Sequence, residues 1–320
     1  MAEVTIDVTG QRPDRARARL RPVRDPAPAR SECAVTIRCT APDALSNLVA
    51  VLELTVDGQV RCSASTRRPF AATVRLVDDV LVGGDYYDGG GEPIAAFGWP
   101  MLLQSGGLAR LAGTTLELTP RGEAALARPS YQALGALWER WRKSVSHDEL
   151  SRIEAIRGQH KAATLTPAAT RRAAVAEGLA AVRPGEWIDA DTMLGVLATQ
   201  SAPLTAARSR IALWRLYVAD SCRGSLGRAG ELAWAVVEGR YALCVLFEYA
   251  ATMGVVDVAY TDPRGAREDY RGLWGAGGYD CLSRYDGLAA VRVNELGAAI
   301  LHDPGTLPAL ALPGPRRDLR

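Results

Sequence analysis

Two stretches of the chain alternate apolar and polar side chains and then lead directly into a helix. They are residues 113–125, with leucines at every second position, and residues 283–299, where alanine and valine alternate with polar residues. Alternation with a period of two predicts a strand, and the Thr119 or Asn294 that follows each run is a typical residue at the start of a helix. Each stretch comes after a longer apolar run that ends at a glycine. The pattern therefore predicts helix, strand, loop, strand, helix, and it predicts this order twice.

The remaining hydrophobic pattern predicts further short strands and amphipathic helices between and before these two stretches. Ser146 and Glu149 have the spacing of a capping box at the start of one helix. Asp189 or Asp191 is expected to cap another. The predicted strands are 33–40, 60–64, 187–188 and 255–260, and the predicted helices are 44–54, 71–81, 94–106, 130–145, 148–158, 192–200, 205–221 and 241–252, with closing helices from Pro120 and Glu295.

These elements predict an α+β protein that is mainly helical and has two similar modules. The first 30 residues are rich in arginine and proline and poor in large apolar side chains, which predicts a basic, flexible arm. The predicted division is an arm (1–30), a first module (31–129), a helical connector (130–182), a second module (183–304) and a flexible tail (305–320).

Composition narrows the class of protein. The chain has 320 residues, of which 48% are hydrophobic, and no apolar run reaches the roughly 20 residues that a membrane helix needs. The first residues lack the charged and then apolar order of a secretory signal, so we expect a cytoplasmic protein. The net charge is +2, so any affinity for a polyanion would have to come from a local surface.

Motifs for catalysis or for metal binding are absent from the sequence. The six cysteines form no C-x-x-C pair, and the three histidines are scattered. Ser146, His147 and Asp148 are the residue types of a hydrolase triad, but neighbours in sequence point in different directions, and we expect a helix start there. The glycine-rich residues 85–93 lack a P-loop pattern and are interpreted as a connection. We expect a protein without enzymatic activity, cofactor or metal.

Arginine is the residue that could bind a polyanion, and it is concentrated in a few places. One group flanks the strand and helix of the first module, a second lies on the predicted helix 205–221, and one arginine follows in the segment 279–287. The candidate residues are Arg61, Arg67, Arg68 and Arg75; Arg208, Arg210 and Arg215; and Arg284. Arg284 has two interpretations: it enters a groove or meets an acidic partner, or it pins its own loop through Asp280 or Asp286. The basic residues of the connector indicate a solvated face or, alternatively, a binding surface.

The stretches WPMLLQSGGLARLAGTTLELTPRGEAAL, GVVDVAYTDP and SRYDGLAAVRVNELGAAIL resemble the winged-helix superfamily, and in particular the tandem winged-helix regions of large proteins from GC-rich bacteria, some of which accompany helicases. This resemblance implies DNA binding through the helix before each wing. The sequence departs from that pattern, because the first such helix offers only Gln104 and Ser105, and the second contains Glu248 and a single base, Arg240, at its start.

Two functions remain after these considerations. The first is a nucleic-acid-binding protein that contacts double-stranded DNA through the arginines named above, with low sequence specificity, as a regulator or accessory subunit. The alternative is a protein-interaction scaffold in a helicase- or ATPase-associated complex, with a homo-oligomer as a further possibility. No membrane partner is expected.

Overall fold

A computed structural model describes residues 34–87, 93–159, 164–219, 221, 223–302 and 307. The arm predicted for residues 1–30 lies outside the described residues, as does the predicted tail apart from Leu307, which is buried. The fold is α+β. Among the described residues, none of the helices combines the length and the apolar character that a membrane span requires.

The strands form small antiparallel sheets. In chain order they are β1 (Thr36–Arg38), β2 (Ala109–Ala112), β3 (Thr115–Leu118), β4 (Ile156–Arg157), β5 (Trp187–Asp189), β6 (Tyr217–Val218), β7 (Val256–Tyr260) and β8 (Leu288–Val293). One sheet has the order β1-β7-β8-β5, while β2 pairs with β3 and β4 pairs with β6. The predicted strands near residues 36, 188, 258 and 290 are therefore confirmed.

The helices are α1 (Ala41–Val56), α2 (Ala71–Val80), α3 (Ala95–Ser105), α4 (Pro120–Ala127), α5 (Tyr131–Lys143), α6 (Ala168–Ala181), α7 (Ala190–Thr199), α8 (Arg210–Leu213), α9 (Leu232–Trp234), α10 (Arg240–Cys244) and α11 (Glu295–His302). Two π-helical turns, Ala235–Gly239 and Val245–Ala250, join α9 and α10 into one continuous helical run. We call residues 232–250 the central helix.

The same order of elements occurs twice. In the first half, α1, residues 60–62, α2, α3, β2, β3 and α4 follow one another; in the second half, the order is α6, β5, α7, the central helix, β7, β8 and α11. The pairing is also the same. Residues 60–62 bond to β3, with the amide of Leu116 donating to the carbonyl of Val60 (2.9 Å), and β3 pairs with β2. Correspondingly, β5 pairs with β8, and β8 pairs with β7.

A close backbone approach is repeated where each closing helix begins. The side chain of Thr119 accepts a hydrogen bond from the amide of Gly122, and that of Asn294 accepts one from Gly297. A Cβ atom on Gly122 would lie 2.1 Å from the carbonyl oxygen of Leu108, and one on Gly297 would lie 1.9 Å from the oxygen of residue 255. Only glycine allows this contact, so the two similar sequence stretches perform the same packing task.

Two predicted helices are wrong. Residues 148–158 form a short 3-10 turn, Glu149–Arg152, and then strand β4; Asp148, not Ser146, caps the turn by accepting from the amide of Leu150. The described residues 205–219 and 221 contain the four-residue α8 and strand β6. Leu150, Ile153, Leu216 and Val218 are buried around the β4–β6 ribbon, whereas Ile211 and Trp214 are exposed, and the helical spacing did not reveal this arrangement.

Candidate nucleic-acid interface

The helices that precede the β2–β3 and β7–β8 hairpins lie in the core. In the central helix, every residue from Val236 to Ala250 is buried, and in α3 only Gln104 is partly exposed. The two helices touch, since a Cβ atom on Gly98 would lie 3.0 Å from the carbonyl oxygen of Glu248. Gln104 donates to the carbonyl of Arg67 (2.9 Å), so its amide is used inside the protein. Neither helix presents a free face to a DNA groove.

The first group of candidate arginines surrounds one tight turn. Arg61, Arg67 and Arg75 are exposed, and Arg68 is half-buried. The amide of Ser63 donates to the carbonyl of Arg68 (2.8 Å), and the guanidinium of Arg61 donates to the side chain of Thr114 in the β2–β3 hairpin (3.0 Å). The turn therefore joins Arg61, Arg67 and Arg68, and Arg75 follows on α2; we call these four residues the first arginine cluster.

Arg67 has an unusual backbone conformation within this cluster. Its φ of 61° lies in the left-handed region, which is uncommon for a residue other than glycine. The turn is fixed by the hydrogen bond from its amide to the carbonyl of Ser63 (2.8 Å) and by the one that its own carbonyl accepts from Gln104. Strained positions of this kind cluster at functional sites.

The second group, which we call the second arginine cluster, consists of Arg208, Arg210 and Arg215. All three are exposed. The amide of Arg208 donates to the carbonyl of Thr164 (3.0 Å), which fixes the backbone at the start of the cluster. Arg215 comes two residues before β6. The backbone at Arg215 is in close contact with Gly158, where a Cβ atom would lie 1.9 Å from its carbonyl oxygen.

Residues 149–159 connect the two clusters. The guanidinium of Arg68 donates to the carbonyl of Ser151 (2.6 Å), and Arg157, six residues later, pairs with Tyr217 next to the second cluster. Six residues span at most about 20 Å, so the two contact points of this segment lie within that distance. Arg157 is itself exposed and adds another cation between the clusters.

Arg284 is not grouped with either cluster. It lines a cavity of about 710 Å³ together with Tyr86, Tyr87, Tyr260 and Arg152. The neighbouring Tyr285 is fully buried and its hydroxyl bonds to Glu248, so the segment does not form an exposed tip. Asp286 accepts from Arg240, and Ser283 donates to it (2.6 Å). The carboxylate of residue 286 therefore belongs to a buried network.

The connector arginines Arg152, Arg171 and Arg172 are buried, which corrects the predicted solvated face for these three, whereas Arg140, Lys143 and Arg157 are exposed. Arg152 donates to Glu248 from its Nε and Nη2 atoms at 2.8–3.0 Å, and its guanidinium lies over the ring of Phe97. This ion pair joins the turn 149–152 to the central helix. Its partners are 96 residues apart in sequence, so no local spacing could have indicated it.

Glu149 is the other charged centre of this network. It accepts hydrogen bonds from Arg172 (2.7 Å), Trp141 (3.2 Å) and Tyr241 (3.3 Å), and it is completely buried. Burial alone raises the pKa of a carboxyl group, but Arg172 and His147 more than offset that effect and lower the pKa of Glu149 to about 2. The carboxylate is therefore ionised at neutral pH and serves to hold α5, α6 and the central helix together.

A surface that the sequence analysis missed carries exposed tryptophans beside arginines. Trp214 and Trp274 are 52% and 50% exposed, whereas most tryptophans of this chain are buried or half-buried. The guanidinium of Arg228 lies 5.8 Å from the ring centre of Trp214, and that of Arg223 lies 5.5 Å from Trp274. The signal was available as arginine near tryptophan in residues 208–228, but the predicted helix concealed it.

Of the three residues at 146–148, Asp148 caps the start of the short 3-10 turn Glu149–Arg152. The hydroxyl of Ser146 lies 3.3 Å from Nδ1 of His147, and Nε2 of that histidine lies 3.2 Å from Glu149. Because Arg172 already binds this carboxylate, we assign Glu149 a structural role. The described part of the chain has no group of three or more His, Cys, Asp or Glu side chains placed to hold a metal ion.

Comparison with family models, with curated proteins and with solved structures gives no match for the chain. The class that the structure defines is an α+β protein with an internal structural repeat and two exposed arginine clusters. Any functional conclusion must therefore be argued from the residues of this chain alone.

Proposed function

We propose that the chain is a tandem winged-helix protein that binds double-stranded nucleic acid through its two arginine clusters, with little sequence preference. The winged-helix assignment is supported by the order helix, strand, helix, helix, two strands, which occurs in both halves with the same strand pairing. In this assignment α3 and the central helix take the position of the recognition helices. The hairpins β2–β3 and β7–β8 are the wings.

The proposed mode of binding rests on one observation: both of these helices are buried, whereas arginines of the two clusters are exposed. A helix whose side chains are packed in the core cannot reach base edges in a major groove. Arginines on exposed turns can still contact phosphates, and phosphate contacts bind all sequences alike. Low sequence specificity follows from this division of roles.

The geometry of the clusters fits a duplex. The segment 149–159 contacts both clusters at points no more than about 20 Å apart. Double-stranded DNA carries one charge per roughly 1.7 Å of axis, so such a span faces about a dozen phosphates. In this proposal one duplex meets Arg67 and Arg75 at one end of the interface and Arg215 at the other.

The test is the salt dependence of duplex binding. Each lost phosphate contact lowers the slope of log K against log salt by about 0.9, so replacing Arg67, Arg68 and Arg75 by glutamine should lower it by about 2.7. Fluorescence anisotropy with a labelled duplex of mixed sequence, between about 50 and 200 mM salt, measures this slope. The proposal fails if wild-type protein retains no duplex at the lowest salt or if the triple variant keeps the wild-type slope.

A matched control removes three cations from other parts of the surface. Arg140, Lys143 and Arg183 are exposed and belong to neither cluster. Replacing these three by glutamine changes the net charge by the same amount as the first triple variant. Only a local interface predicts that the slope responds to one triple variant and not to the other.

The scaffold function remains the second proposal because of the same buried helices. A winged-helix module whose recognition helix packs inside its own chain is suited to holding an assembly together. This function predicts a stoichiometric protein partner in native extracts, and it predicts that neither triple variant affects a nucleic-acid assay. The two proposals therefore give opposite results in the salt experiment.

A further inference from the structure

Contacts bring the exposed tryptophans and arginines of residues 204–234 next to the loop after β7. Trp214 packs on Gly227, where a Cβ atom would lie 2.4 Å from its ring, and about half of the side chain is exposed. Trp274 is followed by Gly275, whose Cβ position lies 3.0 Å from Ala219. We define this surface, which we call the tryptophan surface, by Ile211, Trp214, Arg223, Arg228, Leu232 and Trp274.

Contacts between the two segments hold the surface in place. Leu232, at the start of the central helix, lies against Gly272, with 3.1 Å from its Cδ1 to the Cβ position. Arg223 comes from the first segment, and its guanidinium lies 5.5 Å from the ring centre of Trp274 in the second. The surface is therefore a feature of the folded protein, in which two tryptophan rings are fixed by contacts with backbone and guanidinium groups.

Exposed aromatic rings of this size require an explanation. Ile211 is 74% exposed, and each of the two tryptophan rings is about half exposed. Large apolar side chains grouped on a surface mark a site of interaction, whereas single exposed ones are ordinary. The rings are accompanied by cations, which distinguishes this surface from an apolar groove that would receive a protein helix.

The charge of the surface identifies the class of ligand. Residues 204–234 contain five arginines and two acidic residues. Two of the acids of the neighbouring loop are paired with arginine, since Asp262 binds Arg264 and Asp269 binds Arg240. A surface with an excess of positive charge attracts a polyanion, and tryptophan with arginine stacks on planar rings.

We infer that the tryptophan surface binds single-stranded nucleic acid, with bases stacked on Trp214 and Trp274 and with the backbone phosphates contacted by Arg223 and Arg228. This combination of a basic surface and aromatic platforms is the chemistry by which proteins bind single strands without sequence preference. Bases within a duplex are already stacked on each other and cannot use these rings. The inference rests on the proposed function, since it assumes that the chain meets nucleic acid, and it adds a second type of strand.

The second arginine cluster adjoins the tryptophan surface, so the proposed duplex-binding and single-strand-binding surfaces meet there. Arg215 follows Trp214 directly, and Arg210 precedes Ile211. A nucleic acid that is double-stranded along the arginine clusters would therefore reach the tryptophan surface without leaving the protein. This arrangement suits the junction between a duplex and a single strand.

The test compares two strand types on the full-length chain. The anisotropy of a labelled oligo-dT of about 20 nucleotides, and that of a labelled duplex, are measured with wild-type protein and with Trp274→Ala and Trp214→Ala. Removing one stacking platform weakens single-strand binding by about 5- to 150-fold, and duplex binding should stay within about twofold. Trp274→Ala is the decisive variant, because Trp214 packs on Gly227 and its removal could disturb the fold.

Trp187 supplies the matched control. It is also exposed (38%) and lies 4.8 Å from a guanidinium, that of Arg292, but Asp257 neutralises this arginine with a 2.7 Å ion pair. Trp187→Ala should leave both affinities unchanged. The inference is overturned if Trp274→Ala binds oligo-dT as well as Trp187→Ala does. If the duplex is still bound in that case, the proposed function holds. If the wild-type protein binds neither oligo-dT nor the duplex, both the inference and the proposed function are overturned.

Discussion

Replacing Glu149 by glutamine removes a buried negative charge and keeps the shape of the side chain. Glu149 and Arg172 are both fully buried and 2.7 Å apart, and the same arginine also donates to the carbonyls of Trp141 (2.7 Å) and Ser144 (2.6 Å). Without Glu149 the guanidinium stays in the core with carbonyl partners only. Breaking one partner of a buried ion pair costs about 3–5 kcal/mol, so we expect a loss of that size at pH 7.

The pKa of Glu149 gives the pH dependence of this loss. Its folded pKa of about 2 lies below the ordinary value of 4.5, so the native state binds fewer protons than the unfolded state between these values. Stability from this group is fully present above about pH 4.5 and disappears as the pH falls through about 2. The difference of about 2.5 units corresponds to about 3 kcal/mol, in agreement with the size expected from breaking the pair.

Urea unfolding followed by circular dichroism at pH 7, 5 and 3 measures both effects. The wild type should lose more stability than Glu149→Gln on going from pH 5 to pH 3. Glu117→Gln is the control, because Glu117 forms an exposed ion pair with Arg110 (3.0 Å) and should change stability by less than about 1 kcal/mol. Equal stability of the Glu149 and Glu117 variants at pH 7, or parallel pH profiles for wild type and Glu149→Gln, would refute the reasoning.

Two further predictions concern thiols and glycines. Burial raises the pKa of Cys62 to about 12, so this thiol should resist a thiol reagent at pH 8 in the native protein, while the exposed Cys39 reacts; rapid labelling of Cys62 without denaturant would contradict its placement. Gly297→Ala should cost about 1–3 kcal/mol, because its Cβ would lie 1.9 Å from a carbonyl oxygen. Gly195→Ala, on an open face of α7, should stabilise by about 0.5–1 kcal/mol; similar effects of the two in thermal unfolding would be evidence against the close backbone approach.

The sequence was sufficient for the parts of the fold that have a local signal. Strand β8 and helix α11 follow from the alternation before Asn294 and from the cap that this residue provides. The similarity of residues 113–125 and 283–299 also pointed to a repeat, and the glycines 122 and 297 occupy the same kind of contact. These features depend on neighbours within a few residues, which sequence spacing records.

The parts that could not be predicted depend on distant partners. Arg152 was assigned to a solvated face because arginine is seldom buried, and its partner Glu248 is 96 residues away. Residues 205–221 have the spacing of an amphipathic helix, yet they form the ribbon with β4 because Val218 pairs with Ile156. That error hid the exposed ring of Trp214, since a helix would have placed it among core residues.

In the candidate nucleic-acid interface, too, features with a local sequence signal could be predicted and those that depend on distant partners could not. The first arginine cluster was predicted as a group because its members are close in sequence, and one tight turn joins Arg61, Arg67 and Arg68. For Arg284 two interpretations were left open, a contact with a groove or an acidic partner and a role in pinning its own loop, and the structure places it in the lining of a cavity beside Tyr87. Its position depends on the packing of Tyr285 against Glu248, which no local pattern encodes.

The most direct test of the central claim is the duplex affinity of a variant in which both arginine clusters are neutralised. Arg67, Arg75, Arg210 and Arg215 are replaced by glutamine together, and binding of a mixed-sequence duplex of about 20 base pairs is measured at about 50 mM salt. We predict a Kd of the wild-type protein below about 10⁻⁴ M and no detectable binding by the variant. Equal affinity of the two proteins, or a wild-type protein that does not bind, would contradict the account.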